Sequence, residues 1–223
     1  MSAGAPRRGA EPIHRTFVAA CRATWAAAPI LVAVSGCWAL TTVPVVIAWI
    51  GALPVPWILV SLPFLVATTA MFGVSATVAD GSPVGWHVLS RIDPGLALVA
   101  WCLGLAIEFL LTVGDAGVVA ASAIGAVGTL TMPLAFAYGA VRDRRGSAAL
   151  RGGLVLAILR PDLAITLSAM AVLAGFAVIA SAGALVLCMP ALVMVFACMA
   201  VTRDLERLGS RDARRGPSVA EPS

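Results

Sequence analysis

The sequence predicts an all-α polytopic membrane protein, with six transmembrane helices in three hairpins and short surface helices on its cytoplasmic side. Three observations carry that reading. First, the chain of 223 residues is 61% hydrophobic and 12% charged, with mean hydropathy +0.99. A soluble domain has about 45–50% apolar and about 25% charged residues, so the excess here must be covered by lipid. Second, six apolar runs approach the ~20 residues needed to cross a hydrocarbon core of about 30 Å. Third, all basic charge is arginine, fifteen residues with no lysine, and it is segregated. The N-terminal segment, loop 79–93, loop 142–160 and the tail hold all fifteen, and the three intervening turns hold none. The positive-inside bias then places both termini in the cytoplasm. An Arg-only, Ala/Gly/Val-rich chain suggests a G+C-rich bacterial genome, hence a bacterial plasma membrane.

Residues 1–11 are rich in Ala, Gly, Pro and Arg and are expected to be disordered. No signal-peptide pattern precedes the first apolar run, which reads as a retained anchor. The membrane domain is expected over 12–208, with a disordered tail over 209–223. Residues 12–22 suit either a short surface helix, with Ile13, Phe17 and Ala20 on one side, or a frayed lead-in to the first span. The expected spans are 29–50, 57–78, 94–113, 118–141, 161–180 and 184–201. Trp49 and Trp57 bracket the first outer turn, as tryptophan does at membrane interfaces. Ser82-Pro83 starts a second surface helix running to Arg91, and Ser147 starts a third ending near Arg160. The acids Asp143 and Asp204 are expected to pair with their neighbours Arg142 and Arg203.

The chain also reads as one unit repeated three times. Pro29, Pro94 and Pro161 open the odd spans, 65 and 67 residues apart, and follow Arg22, Arg91 and Arg160. The even spans contain Pro63, Pro133 and Pro190 and end near Asp80, Asp143 and Asp204. Two spans per unit would give parallel repeats about an axis along the membrane normal.

Within the third span one charge stands out, Glu108, and the other spans are expected to form a cage around this stretch. An ionisable group at membrane depth faces protein or water rather than lipid. Glu108 shares a stripe with Ala100 and Gly104, small residues that allow close helix approach. Matching small residues are Gly117, Ala121 and Gly125 in the fourth span and Ala171 and Gly175 in the fifth. Glu108 suits an interhelical hydrogen bond near the interface, a proton or cation relay, or the floor of a ligand cavity. The intramembrane hydroxyls at Thr41, Thr42, Thr68, Thr69, Thr129, Thr131 and Ser168 are expected to bond back to their own helices.

No cofactor or metal is expected. The five cysteines form no C-x-x-C pair. Cys188-Met189 and Cys198-Met199 are ten residues apart, which at about 100° per residue points them in different directions. Two histidines, His14 and His87, offer no dyad, and nucleotide-binding and hydrolase motifs are absent. The chain therefore reads as a non-enzyme. Its arginines serve topology rather than nucleic acid; Arg142, Arg144, Arg145 and Arg151 are the candidate contacts to anionic lipid headgroups or a partner.

Trp38-Ala-Leu-Thr-Thr-Val-Pro44-Val-Val resembles the W-x-x-x-S-L-P-I-V segment of YesL-like bacterial membrane proteins. Ala67-Thr-Thr-Ala70-Met-Phe is similar to that family's P-A-T-x-A-L-Y segment. The resemblance covers roughly residues 15 to 208. It implies an accessory protein in the setting of carbohydrate transport, with a permease or ATPase subunit as partner, and carries over no site residue. The first expectation is thus an accessory or scaffold protein; the second is a small transporter or channel using Glu108.

Overall fold

Proline marks where the odd spans begin, because its missing N–H costs nothing in a helix's first turn. The computed structural model describes residues 13–51, 56–85, 88, 91–181 and 183–215. Among these, the helices in chain order are α1 (Ile13–Ala26), α2 (Ala28–Trp49), α3 (Trp57–Val60), α4 (Leu62–Ala79), α5 (Pro94–Leu111), α6 (Asp115–Arg142), α7 (Ser147–Leu159), α8 (Pro161–Ala180) and α9 (Met189–Arg215). A 3-10 turn at Ala184–Leu187 precedes α9, and no strand occurs among the described residues. Pro29 lies in the first turn of α2, while Pro94 and Pro161 open α5 and α8. Six helices (α2, α4, α5, α6, α8 and α9) are long and apolar enough to cross a membrane. The turns within the three hairpins each hold a glycine at positive φ: Gly51, Gly114 and Gly183.

The prolines of the even spans do three different things. Pro63 lies at the start of α4, after a break at Ser61 that detaches the one-turn α3 from the expected continuous span. Pro190 likewise follows a short lead-in, the 3-10 turn. Pro133 instead lies inside α6, which runs through it unbroken as a helix of 28 residues.

Three helices form the centre. Residues 71–78 of α4 are all buried, so every side of that helix is covered. α4, α6 and α9 pack on one another, and their inner halves supply most of the core, including Met71, Leu134 and Phe196. The Phe72 and Phe136 rings stack at 5.6 Å. The first helix of each hairpin lies outside this triangle: α2 packs on α4 and α9, α5 on α4 and α6, and α8 on α6 and α9. Hence α5, the helix of Glu108, is peripheral and the others do not cage it. Only Leu96 and Ala97 are buried along it. Lipid is as apolar as leucine, so hydropathy alone does not separate a central span from an outer one.

The arginine-bearing segments gather at one end. α1 docks on α9 and α4 through Ala20, fully buried, and Phe17, whose ring meets Phe196 edge-on at 6.2 Å. The side chain of Ile13 lies outside the described set. α7 lies along α6 in intimate contact, because Gly153 brings it to within van der Waals limits of the α6 backbone: a Cβ there would stand 2.5 Å from the nitrogen and Cα of Ala135. The expected helix from Ser82 to Arg91 does not begin there: residues 82–85 are irregular, residues 88 and 91 are in 3-10 conformation, and 86, 87, 89 and 90 are outside the described set. At the other extreme, α9 continues to Arg215, past the expected boundary at 208. The expected tail over 1–11 lies outside the described residues, as do 216–223.

Candidate functional site

The hydroxyls of the apolar helices mostly turn back on their own backbone, and a proline explains the exception. Thr41, Thr42, Thr68, Thr69, Thr129 and Thr131 each donate to a carbonyl one turn back, between 2.6 and 2.8 Å. Ser168 is the exception. Pro133 has no N–H to give the carbonyl of Thr129, four residues earlier, and Ser168 of α8 donates to that carbonyl at 3.0 Å. Two tryptophans tie other helices together: Trp38 Nε1 donates to Thr68 Oγ1 at 3.0 Å, and Trp101 Nε1 to the Ile58 carbonyl at 2.7 Å.

Against the Trp38–Thr68 pair lies a cavity of about 370 Å³. Its wall is built from α2, α4, α6, α8, the 3-10 turn and α9, and it is apolar except for Thr68. Pro133 and Pro190 both line it, together with the stacked Phe72 and Phe136. The small residues Ala171, Ala174 and Gly175 of α8 leave the space open, and nothing lies within 4 Å of where a Cβ on Gly175 would be. Sequence reading took Ala171 and Gly175 for helix-packing residues; they line this cavity. A second groove of about 240 Å³ runs between α6, α7 and α8, lined by residues such as Leu130, Leu154 and Ile165.

Glu108 lines neither cavity. Its residue is partly buried, with Oε2 shielded and without a hydrogen-bond partner. On the same stripe, Gly104 faces the one-turn α3: a Cβ there would stand 2.6 Å from Ile58 Cδ1. In α6, Gly117 sits tight against the Leu110 carbonyl and Val113 at the end of α5, and Ala121 is buried. Gly125 has no neighbour within 4 Å of a Cβ, whereas Gly128, which the sequence reading passed over, faces Leu103.

At the arginine-bearing end, the group that sequence reading missed is Asp93. It is buried, and both carboxylate oxygens are used: Oδ1 accepts from the Leu96 backbone N–H at 2.9 Å, capping α5, and Oδ2 accepts from the Gly146 N–H at 2.7 Å. Gly146 turns the chain into α7 with φ +53°, a conformation disfavoured for side-chain-bearing residues. The signal was in the sequence, since Asp before Pro and an apolar run is an N-cap pattern; the link to position 146 was not.

Asp204 is buried and is held by Arg160 at 2.6 Å and Arg207 at 3.5 Å. Arg160 also pairs with Asp162 at 3.0 Å. These carboxylates raise the Arg160 guanidinium above its usual range, the hydrogen bond to Asp162 contributing most. Arg203 donates to Thr16 Oγ1 at 2.8 Å, fastening α9 to α1. Neighbours on a helix point in different directions, so Asp204 is served by Arg160 and Arg207 rather than by the expected partner beside it. Asp143 closes α6 at φ 49°, exposed. Arg142, Arg144, Arg145 and Arg151 are all exposed. Among the described residues no cluster of three His, Cys, Asp or Glu side chains is disposed to hold a metal.

Comparison of the chain with protein-family models, with curated proteins and with solved structures gives no match.

Proposed function

We propose that this protein is a non-enzymatic scaffold, an accessory component of a transport system in the bacterial plasma membrane, with both termini cytoplasmic. The observation that carries the reading is the cross-linked arginine-bearing end. Asp93 ties the α5 start to the α7 turn, Arg160–Asp204 ties α8 to α9, and Arg203–Thr16 ties α9 to α1. On that platform Arg142, Arg144, Arg145 and Arg151 are presented to the surroundings, suited to anionic headgroups or an acidic partner surface at about 1 kcal/mol per arginine near an anionic leaflet. The resemblance to YesL-like proteins supports the same setting, with a permease or ATPase subunit as partner. Its two segments meet in space, through the Trp38–Thr68 hydrogen bond. The test is purification from native membranes: Arg144→Ala with Arg145→Ala weakens retention of the transport subunits, and Glu108→Gln leaves it intact. Equal retention by the arginine variant overturns the reading.

A second reading has one observation of its own, the shielded and unpartnered Glu108 Oε2. It makes the protein a small proton- or cation-coupled transporter or channel. In liposomes under a proton gradient, flux that Glu108→Gln abolishes supports it; absence of flux retires it.

A further inference from the structure

We propose that the cavity between α2, α4, α6, α8 and α9 is a binding site for one lipid acyl chain, drawn from the surrounding bilayer. The inference needs the six spans to lie in a membrane and is independent of the scaffold reading.

Shape and chemistry select the occupant. The cavity's α8 wall extends from Leu167 to Val178, which at 1.5 Å per residue is a length of about 16 Å along the bundle. Its volume of about 370 Å³ is within the range of small-ligand pockets. It is more than twice the ~150 Å³ at which an apolar protein cavity stays dry and still admits a benzene ring. The one polar side chain in the wall, Thr68, is already engaged: its hydroxyl donates to the Phe64 carbonyl and accepts from Trp38. A water held there would lack the two to four partners it needs. A sugar or a peptide would strand its polar groups at several kcal/mol each. A hydrocarbon chain strands none.

Access follows from the packing. α2 and α8 both supply wall residues, Trp38 on one side and Ala171 to Val178 on the other. They make no extended contact with each other; the 3-10 turn Ala184–Leu187 packs on both and bridges them. The gap between these two peripheral spans is the proposed route of the acyl chain, and with the six spans in a bilayer the medium beside it is the acyl region. Small residues on the α8 side, Ala171, Ala174 and Gly175, supply the width a chain requires, and the stacked Phe72 and Phe136 close the inner end.

The experiment uses the full chain in phosphatidylethanolamine/phosphatidylglycerol vesicles doped with a phospholipid whose acyl chain bears a diazirine. After illumination, label is mapped by peptide mass spectrometry. Label on the Phe136, Gly175 and Met194 peptides, mostly lost in Ala171→Phe with Gly175→Leu and retained in Val172→Phe, is the expected result. Val172 points away from the cavity wall and is half-exposed to the surroundings. Label confined to lipid-facing positions, or unchanged by the filled cavity, overturns the proposal. A second measurement needs no variant. Native mass spectrometry of the wild-type chain, stripped with a delipidating detergent, is expected to show one phospholipid per chain; a chain with none overturns the proposal even if the filled variant does not fold.

Discussion

Replacing Ser168 by Ala tests whether a proline in one span is compensated by a hydroxyl in another. Pro133 leaves the Thr129 carbonyl without its intrahelical donor, and Ser168 Oγ supplies one at 3.0 Å. Ser168 is seven residues into α8, about 10 Å from its arginine-bearing end, hence within a hydrocarbon core about 30 Å thick, where no water replaces the lost bond. Interhelical hydrogen bonds in membrane proteins are worth about 0.6 kcal/mol on average and up to about 1.7. Ser168→Ala should therefore lower stability by about 0.6 to 1.7 kcal/mol, read as a shift in reversible unfolding in mixed micelles. The decisive arm is the double-mutant cycle. Pro133→Ala restores an N–H at 133, which then serves the Thr129 carbonyl within α6. In that background Ser168→Ala should cost close to nothing. An equal cost in both backgrounds refutes the compensation.

Other predictions follow the same contacts. Gly153→Ala should destabilise by about 1–3 kcal/mol, because the new Cβ would meet backbone atoms of Ala135 at 2.5 Å. Gly125→Ala, with nothing within 4 Å, should stay within about 0.5 kcal/mol; thermal unfolding of the pair compares them. Asp93→Ala removes the α5 cap and the bond to Gly146 and should cost about 1–3 kcal/mol, with faster amide exchange at Leu96 and Gly146. Asp93→Asn keeps one carbonyl acceptor and should lose less. Asp204→Ala removes the buried carboxylate that Arg160 and Arg207 both reach and that ties Arg160 to α9, while Arg160 keeps Asp162. It should loosen the α8 start and raise proteolysis near Arg160 under conditions where the native chain resists.

The hairpin plan was legible because its signals are chemical and local. Proline opens the odd spans for want of an N–H, glycine turns the chain at the end opposite the arginines, and arginine stays at one end. The differences lay where two signals compete. Trp57 to Val78 reads as one apolar run, yet Pro63 needs a helix start and the run breaks at Ser61. Hydropathy predicts the end of a span at 201 but not the end of a helix, and α9 carries on as a polar rod to Arg215. The candidate sites divide the same way. Glu108 was conspicuous as a charge in an apolar stretch, whereas Asp93 looked like an ordinary loop acid and proved to be bonded on both oxygens.

What no single-sequence pattern conveyed was the unequal packing of the bundle's two halves. Toward the arginine-bearing end, α4 from Met71 to Val78 and α6 from Leu134 to Phe136 are buried throughout. Toward the other end, α6 exposes Val118, Val119 and Val127, and α5 exposes Phe109. A soluble bundle with that much apolar exposure would aggregate; in a bilayer the same exposure carries no such penalty, so selection need not close the outer half. The cavity is lined from both halves: the stacked Phe72 and Phe136 on one side, and the proline-bearing α6 and α9 with the alanine and glycine of α8 on the others. Ala171 and Gly175 carry the same lesson: a stripe of small residues permits close helix approach, and where the facing atoms stand back, as around Gly175, it lines a space.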